Sequence, residues 1–173
     1  FLREDGVTLT RNGTTMFEQR TFGWTAAGQL IVRWLPYLED WLDIENGVGG
    51  YPSLVIDSTV AVQVREGEQV YSSTDWSTQP RSALGLTESG DLIFAVLDGR
   101  NPLSDGLFSV KWAEFLDSSF QLQEGVGLDG GGSSTLSIRD CWLNDIVNFP
   151  SDSTDFSHQG ARRVGSGLYL SHQ

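Results

Sequence analysis

One cysteine and two histidines are all that 173 residues offer for thiol and imidazole chemistry. Cys141 alone cannot close an internal disulfide, so the fold must rest on its core in any redox compartment. His158 and His172 lack the ligand spacing of a zinc site, and Asp152 with Asp155 does not make a calcium loop. A divalent metal is therefore unsupported, and no cofactor is expected. Positive charge is scarce too: 11 Lys and Arg stand against 23 Asp and Glu, a formal charge of −12. The basic residues are scattered, which argues against nucleic acid or an anionic membrane as partner. An anionic small molecule would need a local cluster of cations. No apolar run nears the ~18 residues of a membrane helix. Opening on Phe1 rather than Met, the chain is expected to be a mature form or a fragment, with any signal peptide already gone.

Apolar material is ample. Hydrophobic residues make up 39% of the chain and aromatics 11%, enough for a single domain over residues 1–173 to bury roughly two thirds of its unfolded surface. Turn signals are dense, with Asn12-Gly13, Gly28, Gly49-Gly50, Gly90 and Gly130-Gly131-Gly132 separating short β-rich runs. The apolar run Leu92–Leu97 fits a strand covered on both faces inside the domain, and residues 29–34 do so more weakly. Residues 22–32 align without gaps on 84–94, each reading strand, turn, strand with a glycine, Gly28 or Gly90, at the turn. Two related hairpins in one sheet system are expected, although hairpins reuse the same residue types and would echo one another by chance. Ser109–Phe120 reads as a short helix, and residues 35–44, with Pro36 in the first turn, as a second. The text then turns polar: 148–153 reads as an exposed loop and 164–170 as a closing strand. The class expected is α+β, mainly antiparallel mixed sheet with one or two short helices packed on it.

The most unusual segment is Gly127-Leu128-Asp129-Gly130-Gly131-Gly132-Ser133-Ser134-Thr135. Three bare glycines expose backbone N–H groups that can converge on an anion, with the Ser133 and Ser134 hydroxyls as further donors. A flexible turn before a strand at 135–138 is the plain alternative. Asp129 favours the first reading, since a carboxylate beside an anion cradle must bind metal, pair with arginine or handle a proton. Gly125-Val126-Gly127-Leu128-Asp129-Gly130 satisfies the dinucleotide fingerprint by letter, but two more glycines and a β-like run follow where a helix must open. A Gly-x-Ser-x-Gly nucleophile elbow is absent as well. His158 either is solvated in its loop or protonates a leaving group; Trp76 either packs in the core or stacks on a sugar. Asn12-Gly13-Thr14 fits an N-glycosylation acceptor, a pattern common by chance.

Asp129-Gly130-Gly131-Gly132-Ser133-Ser134-Thr135 resembles the hallmark of the phosphodiester glycosidase family. Other pieces are similar to that family in order: Pro80-Arg81-Ser82-Ala83-Leu84-Gly85, Val96-Leu97-Asp98-Gly99-Arg100, Gly106-Leu107 with Ala113-Glu114-Phe115-Leu116, Asn148-Phe149-Pro150-Ser151-Asp152, and Arg162-Arg163-Val164 as a final strand. The likeness is densest over 80–170 and weaker upstream, through 46–55 and the hairpin at 22–32. The chain departs from the family pattern at Gly127, usually Asn, and at Ala161, usually Glu, and it lacks the early Asn-Gly-Gly-Phe strand. The domain is thus expected to lack its first strand, or to receive it from a separate N-terminal fragment of the same enzyme.

The resemblance implies a hydrolase that cleaves the glycosidic bond of sugar-1-phosphodiesters or phosphorylated glycans, in an extracytoplasmic protein. Guanidinium groups bind phosphate oxygens bidentately, so Arg81, Arg100 and Arg162 are the candidate clamp, with Gly130, Gly131, Gly132, Ser133 and Ser134 as the backbone and hydroxyl donors. Oxocarbenium character on the sugar calls for a carboxylate: Asp129 first, Asp98 second, the latter also readable as a turn residue before Gly99. The alternative function is a non-catalytic binding module for anionic or phosphorylated polysaccharide.

Overall fold

A computed structural model describes residues 1–11, 20–36, 39–62, 77–141, 145–153 and 156–171. The Asn12 acceptor, Trp76, Asp155 and His172 lie outside them. Two five-stranded sheets carry the fold. The first holds β1 (Leu2–Glu4), β2 (Val7–Thr10), β3 (Arg20–Trp24), β4 (Leu30–Trp34) and β5 (Asn46–Gly49) in the order β2-β1-β5-β3-β4. The second holds β6 (Ser53–Ile56), β7 (Thr59–Val60), β8 (Arg81–Thr87), β9 (Leu92–Leu97) and β10 (Leu122–Leu128) in the order β7-β6-β10-β8-β9. All neighbours are antiparallel. One helix, α1 (Ser109–Phe120), enters between β9 and β10. This is the α+β class expected.

Counted from its own first strand, each sheet has the same plan: two hairpins, then a fifth strand inserted between them. The first hairpins turn on Asp5-Gly6 (φ 46° and 72°) and Asp57-Ser58 (φ 48° and 58°). Two positive φ values mark the turn whose twist matches that of paired strands. In the second hairpins the Gly28 and Gly90 amides donate to the Thr25 and Thr87 carbonyls, at 2.8 and 3.0 Å. The Thr25 and Thr87 hydroxyls accept from the Gln29 and Asp91 amides. Both glycines have positive φ. In the inserted strands, Val48 faces Phe22 and Gly47 faces Gly23, as Val126 faces Leu84 and Gly125 faces Gly85. The echo between hairpins is therefore part of a larger internal repeat, and the hairpins lie in separate sheets rather than one.

Packing follows the repeat. Phe22, Leu84 and Val126 are fully buried together and join the sheets, with Trp24, Val32, Val48, Leu86 and Phe94 around them. Ile44 lies over Gly23, where a Cβ would come within 2.8 Å of its Cδ1, and Leu122 lies over Gly85, where the corresponding gap is 2.9 Å. Each bulky side chain fills the space that paired glycines leave. On the second sheet, α1 buries Trp112, Ala113 and Leu116 against Leu54, Val55 and Ala83. The helix ends at Gln121 in the left-handed region, its N–H bonded to the Asp117 carbonyl.

Four expectations change. The described part of 35–44 is not helical: Leu35, Trp41 and Ile44 are buried while Leu42 is 73% exposed. Asp40 accepts from the Trp41 amide and from the Thr8 hydroxyl and Arg11, both distant in sequence, and these bonds hold the chain out of a helix. Strand β9 is an edge strand with all six residues half-buried, not one covered on both faces. Residues 164–170 are exposed and belong to no ladder among the described residues. Segment 135–138 has a single bridge, Ser137 to Ile146. A β-like sequence becomes a strand only where a partner edge takes its backbone groups.

Glu124 on β10 is buried beside Arg20 of β3, with Nε to Oε2 at 3.5 Å. Burial pushes its carboxyl above the usual glutamate range, against the pull of Arg20. A carboxyl raised in the folded state favours folding when protonated, and that contribution is lost as pH rises through the raised value. Glu124→Gln is therefore expected to melt higher than the parent at pH 7, with the gap closing as pH falls from the raised value to the ordinary glutamate range. A lower melting temperature at pH 7 contradicts this. Ile44→Ala and Leu122→Ala should each cost about 2–5 kcal/mol in denaturant unfolding.

Candidate active site

At Leu128, opposite Ser82, β10 leaves its sheet, and Asp129-Gly130 leads into a single 3₁₀ turn over Gly131–Ser133. Gly131 sits at φ 60°, a conformation that favours glycine. Its amide donates to the Pro80 carbonyl at 3.0 Å, while the Ser133 and Ser134 amides donate to the Gly130 and Gly131 carbonyls at 3.2 Å. These three amides are committed, one to Pro80 and two within the turn, so the expected cradle of free N–H groups is smaller by three.

Two arginines close on the turn. A Cβ at Gly131 would lie 3.2 Å from Arg100 Nη1, and one at Gly132 would lie 2.5 Å from Arg162 Nη2 and collide with Asp152. Each guanidinium thus occupies the space where an adjacent glycine has no side chain. Arg100, at φ 56°, follows the end of β9 and is exposed. Arg162 Nε donates to Asp152 Oδ2 at 2.7 Å. The Asp152 carboxylate, and more weakly the charge of Asp129, hold the Arg162 guanidinium above its ordinary value. Asp129, Gly130, Gly131, Gly132, Ser133, Arg81, Arg100 and Arg162 line one open cavity of about 1990 Å³. That exceeds the roughly 300–1,000 Å³ usual for a small-ligand pocket.

Three candidates stand differently. Arg81 reaches the cavity, but its Nε and Nη2 donate to the Leu107 and Ser77 carbonyls, both at 3.0 Å, so it also fastens neighbouring backbone. Asp98 is not in the cavity wall: its Oδ1 accepts from Asn148 Nδ2 at 3.0 Å and from the Phe149 amide at 2.9 Å. Among the described residues the Ser134 hydroxyl is buried without a partner, and its residue is not in the wall either. His158 is half-buried, its Nδ1 2.9 Å from the Asn148 carbonyl and its ring against Phe149. Among the described residues, no three His, Cys, Asp or Glu side chains gather to hold a metal. Gly127 has no room for a side chain, since a Cβ would lie 2.9 Å from the Tyr51 carbonyl oxygen and 3.0 Å from Pro52 Cδ.

Sequence reasoning passed over Asn148 as a single residue. It is buried, and it connects Asp98, Ser134 and Leu136. Its one sequence signal is its place in Asn148-Phe149-Pro150-Ser151-Asp152, because nothing in the letters separates a buried Asn from a loop Asn.

Asp98→Ala leaves two partly or fully buried donors unmatched and should cost about 1–3 kcal/mol or more. Asp152→Ala breaks only an exposed pair, 49% and 37% accessible, and should change stability little. Equal losses in denaturant melts of the two variants would contradict the assignment of Asp98 to the scaffold.

A model for phosphodiester glycosidases matches residues 1–171. Among curated proteins, the SPbeta prophage-derived uncharacterized protein YomE of Bacillus subtilis (strain 168) is 28% identical over 105 residues, 51% of this chain and 16% of that protein. Among solved structures, the zebrafish N-acetylglucosamine-1-phosphodiester alpha-N-acetylglucosaminidase catalytic domain, auto-inhibited by its pro-peptide, superposes with a TM-score of 0.70 at 19% identity, covering 94% of this chain and 54% of that one. At this identity the likeness is one of fold. The chain spans about half the length of that solved relative and a smaller share of YomE. With the family model covering the chain almost from end to end, this chain belongs to the phosphodiester glycosidase family.

Proposed function

We propose that the protein hydrolyses the glycosidic bond of sugar-1-phosphodiesters, holding the phosphate between Arg100 and Arg162 at the triple-glycine turn. The observation that carries this is the approach of both guanidiniums to adjacent glycines with Asp129 in the same cavity. In a protein of net charge −12, the two guanidiniums supply the local positive charge that an anion needs. As the bond from anomeric carbon to oxygen breaks, its electron pair goes to a phosphomonoester, whose second pKa of about 6 lets it depart near neutrality with little protonation. The arginines stabilise the developing charge, and the Asp129 carboxylate stabilises the oxocarbenium character of the sugar or attacks it. Water then supplies the hydroxyl of the released sugar. Arg81 holds the Leu107 backbone and adds positive potential. The family's early strand, from elsewhere in the same enzyme, would complete the wall, and the family reading carries with it an extracytoplasmic protein.

Incubation with UDP-sugars and other sugar-1-phosphodiesters should release free sugar. Asp129→Asn should abolish turnover without lowering the melting temperature, and Arg100→Ala or Arg162→Ala should cut kcat/KM about 10- to 150-fold, the worth of one charged hydrogen bond. No sugar release from a broad panel, by a protein that includes the early strand, rejects hydrolysis. Gly127 favours a second reading, a binding module for phosphorylated or anionic polysaccharide: its close packing on Tyr51 and Pro52 excludes the asparagine usual there. Calorimetric binding without turnover, lost in Arg162→Ala, would select that reading.

A further inference from the structure

We infer that Asn148 is the positioning residue of this site, locking the glycine turn, the Arg100 loop and the Asp152–Arg162 pair into one arrangement; the inference rests on the phosphate-seat reading above. Asn148 is 8% exposed. Its Oδ1 accepts from the Leu136 amide at 2.8 Å, and its Nδ2 donates to the Ser134 carbonyl and to Asp98 Oδ1, both at 3.0 Å. Its own carbonyl lies 2.9 Å from His158 Nδ1. Ser134 and Leu136 follow the glycine turn, Asp98 lies two residues before Arg100, and Asn148 begins the loop that carries Asp152, partner of Arg162. One buried amide therefore ties together the three segments that place the two guanidiniums on adjacent glycines.

Only a side chain with an acceptor and two donors can do this. Asparagine has both, and aspartate has the shape without the donors. Asn148→Asp would keep the bond from Leu136 and set a carboxylate against Asp98 Oδ1 and the Ser134 carbonyl. Two carboxylates about 3 Å apart do not both ionise readily, so one binds a proton more tightly and, once protonated, donates across the gap again. The titratable groups facing this position among the described residues are Asp98 and His158.

The test uses Asn148→Asp with two readouts. Hydrogen exchange followed by mass spectrometry at pH 7 should speed up in 130–136 and 148–153 while β8 and β10 keep wild-type protection. Sugar release should fall about 10- to 100-fold at pH 7, the cost of an ångström-scale misplacement, and recover part of that loss as pH is lowered, an acid-side gain wild type does not show. Unchanged exchange in 130–136 overturns the inference whatever the activity. So does a lower melting temperature with turnover per folded molecule and pH profile unchanged. If Asn148→Asp does not fold, Asn148→Ser, which cannot span all three contacts, must show the same local exchange. A wild type that releases no sugar rejects the hydrolase reading alone, because exchange still reports on the bridge.

Discussion

The site depends on two missing side chains. At Gly131 and Gly132 any Cβ would intrude on Arg100, or on Arg162 and Asp152, so the arginines hold their places only because the backbone between them is bare. Asp129 stands two residues before Gly131 and within electrostatic reach of Arg162. Two guanidiniums with the Asp129 and Asp152 carboxylates make the charged corner that the proposed reading sets against a leaving phosphate and an electron-poor sugar carbon. Backbone amides contribute fewer donors than the sequence suggests, because those of Gly131, Ser133 and Ser134 hold the turn against Pro80 and itself.

The duplicated sheet plan explains why this corner is where it is. The inserted strands of the two repeats, β5 and β10, carry the same Gly-Val-Gly pattern and run out at the same place, where a Cβ at Gly50 would strike the Gly127 carbonyl. Counting on from those glycines puts Tyr51 in one repeat where Asp129 stands in the other, and both line the cavity. One repeat thus supplies a wall, the other the charged turn. The loops differ: α1 lies between β9 and β10 in one repeat, and in the other, between β4 and β5, Asp40 accepts from the Trp41 amide.

Much of this was legible in the residues. Gly28 and Gly90 marked real turns, the apolar spacing over Ser109–Phe120 marked the helix, and the motif resemblance brought Asp129, Arg100 and Arg162 to one place. The misses share a cause. Whether Leu92–Leu97 is covered on both faces, whether 164–170 joins a sheet and whether 35–44 coils into a helix are decided by neighbours distant in sequence, and local pattern says nothing of them. Ser134 and Asp98 failed to reach the cavity for the same reason: a loop's direction is set by what fastens it, here Asn148. Arg81 shows the converse, reaching the cavity with much of its donor capacity already committed to carbonyls.

The central claim is that phosphate is seated at the glycine turn between two guanidiniums. A crystal structure soaked with a sugar-1-phosphate tests it most directly. Phosphoryl oxygens bonded to both Arg100 and Arg162 and resting on the Gly130 to Gly132 backbone, with the anomeric carbon toward Asp129, are the predicted result. A phosphate bound elsewhere, with the Arg162–Asp152 pair and the glycine turn untouched, would contradict the account.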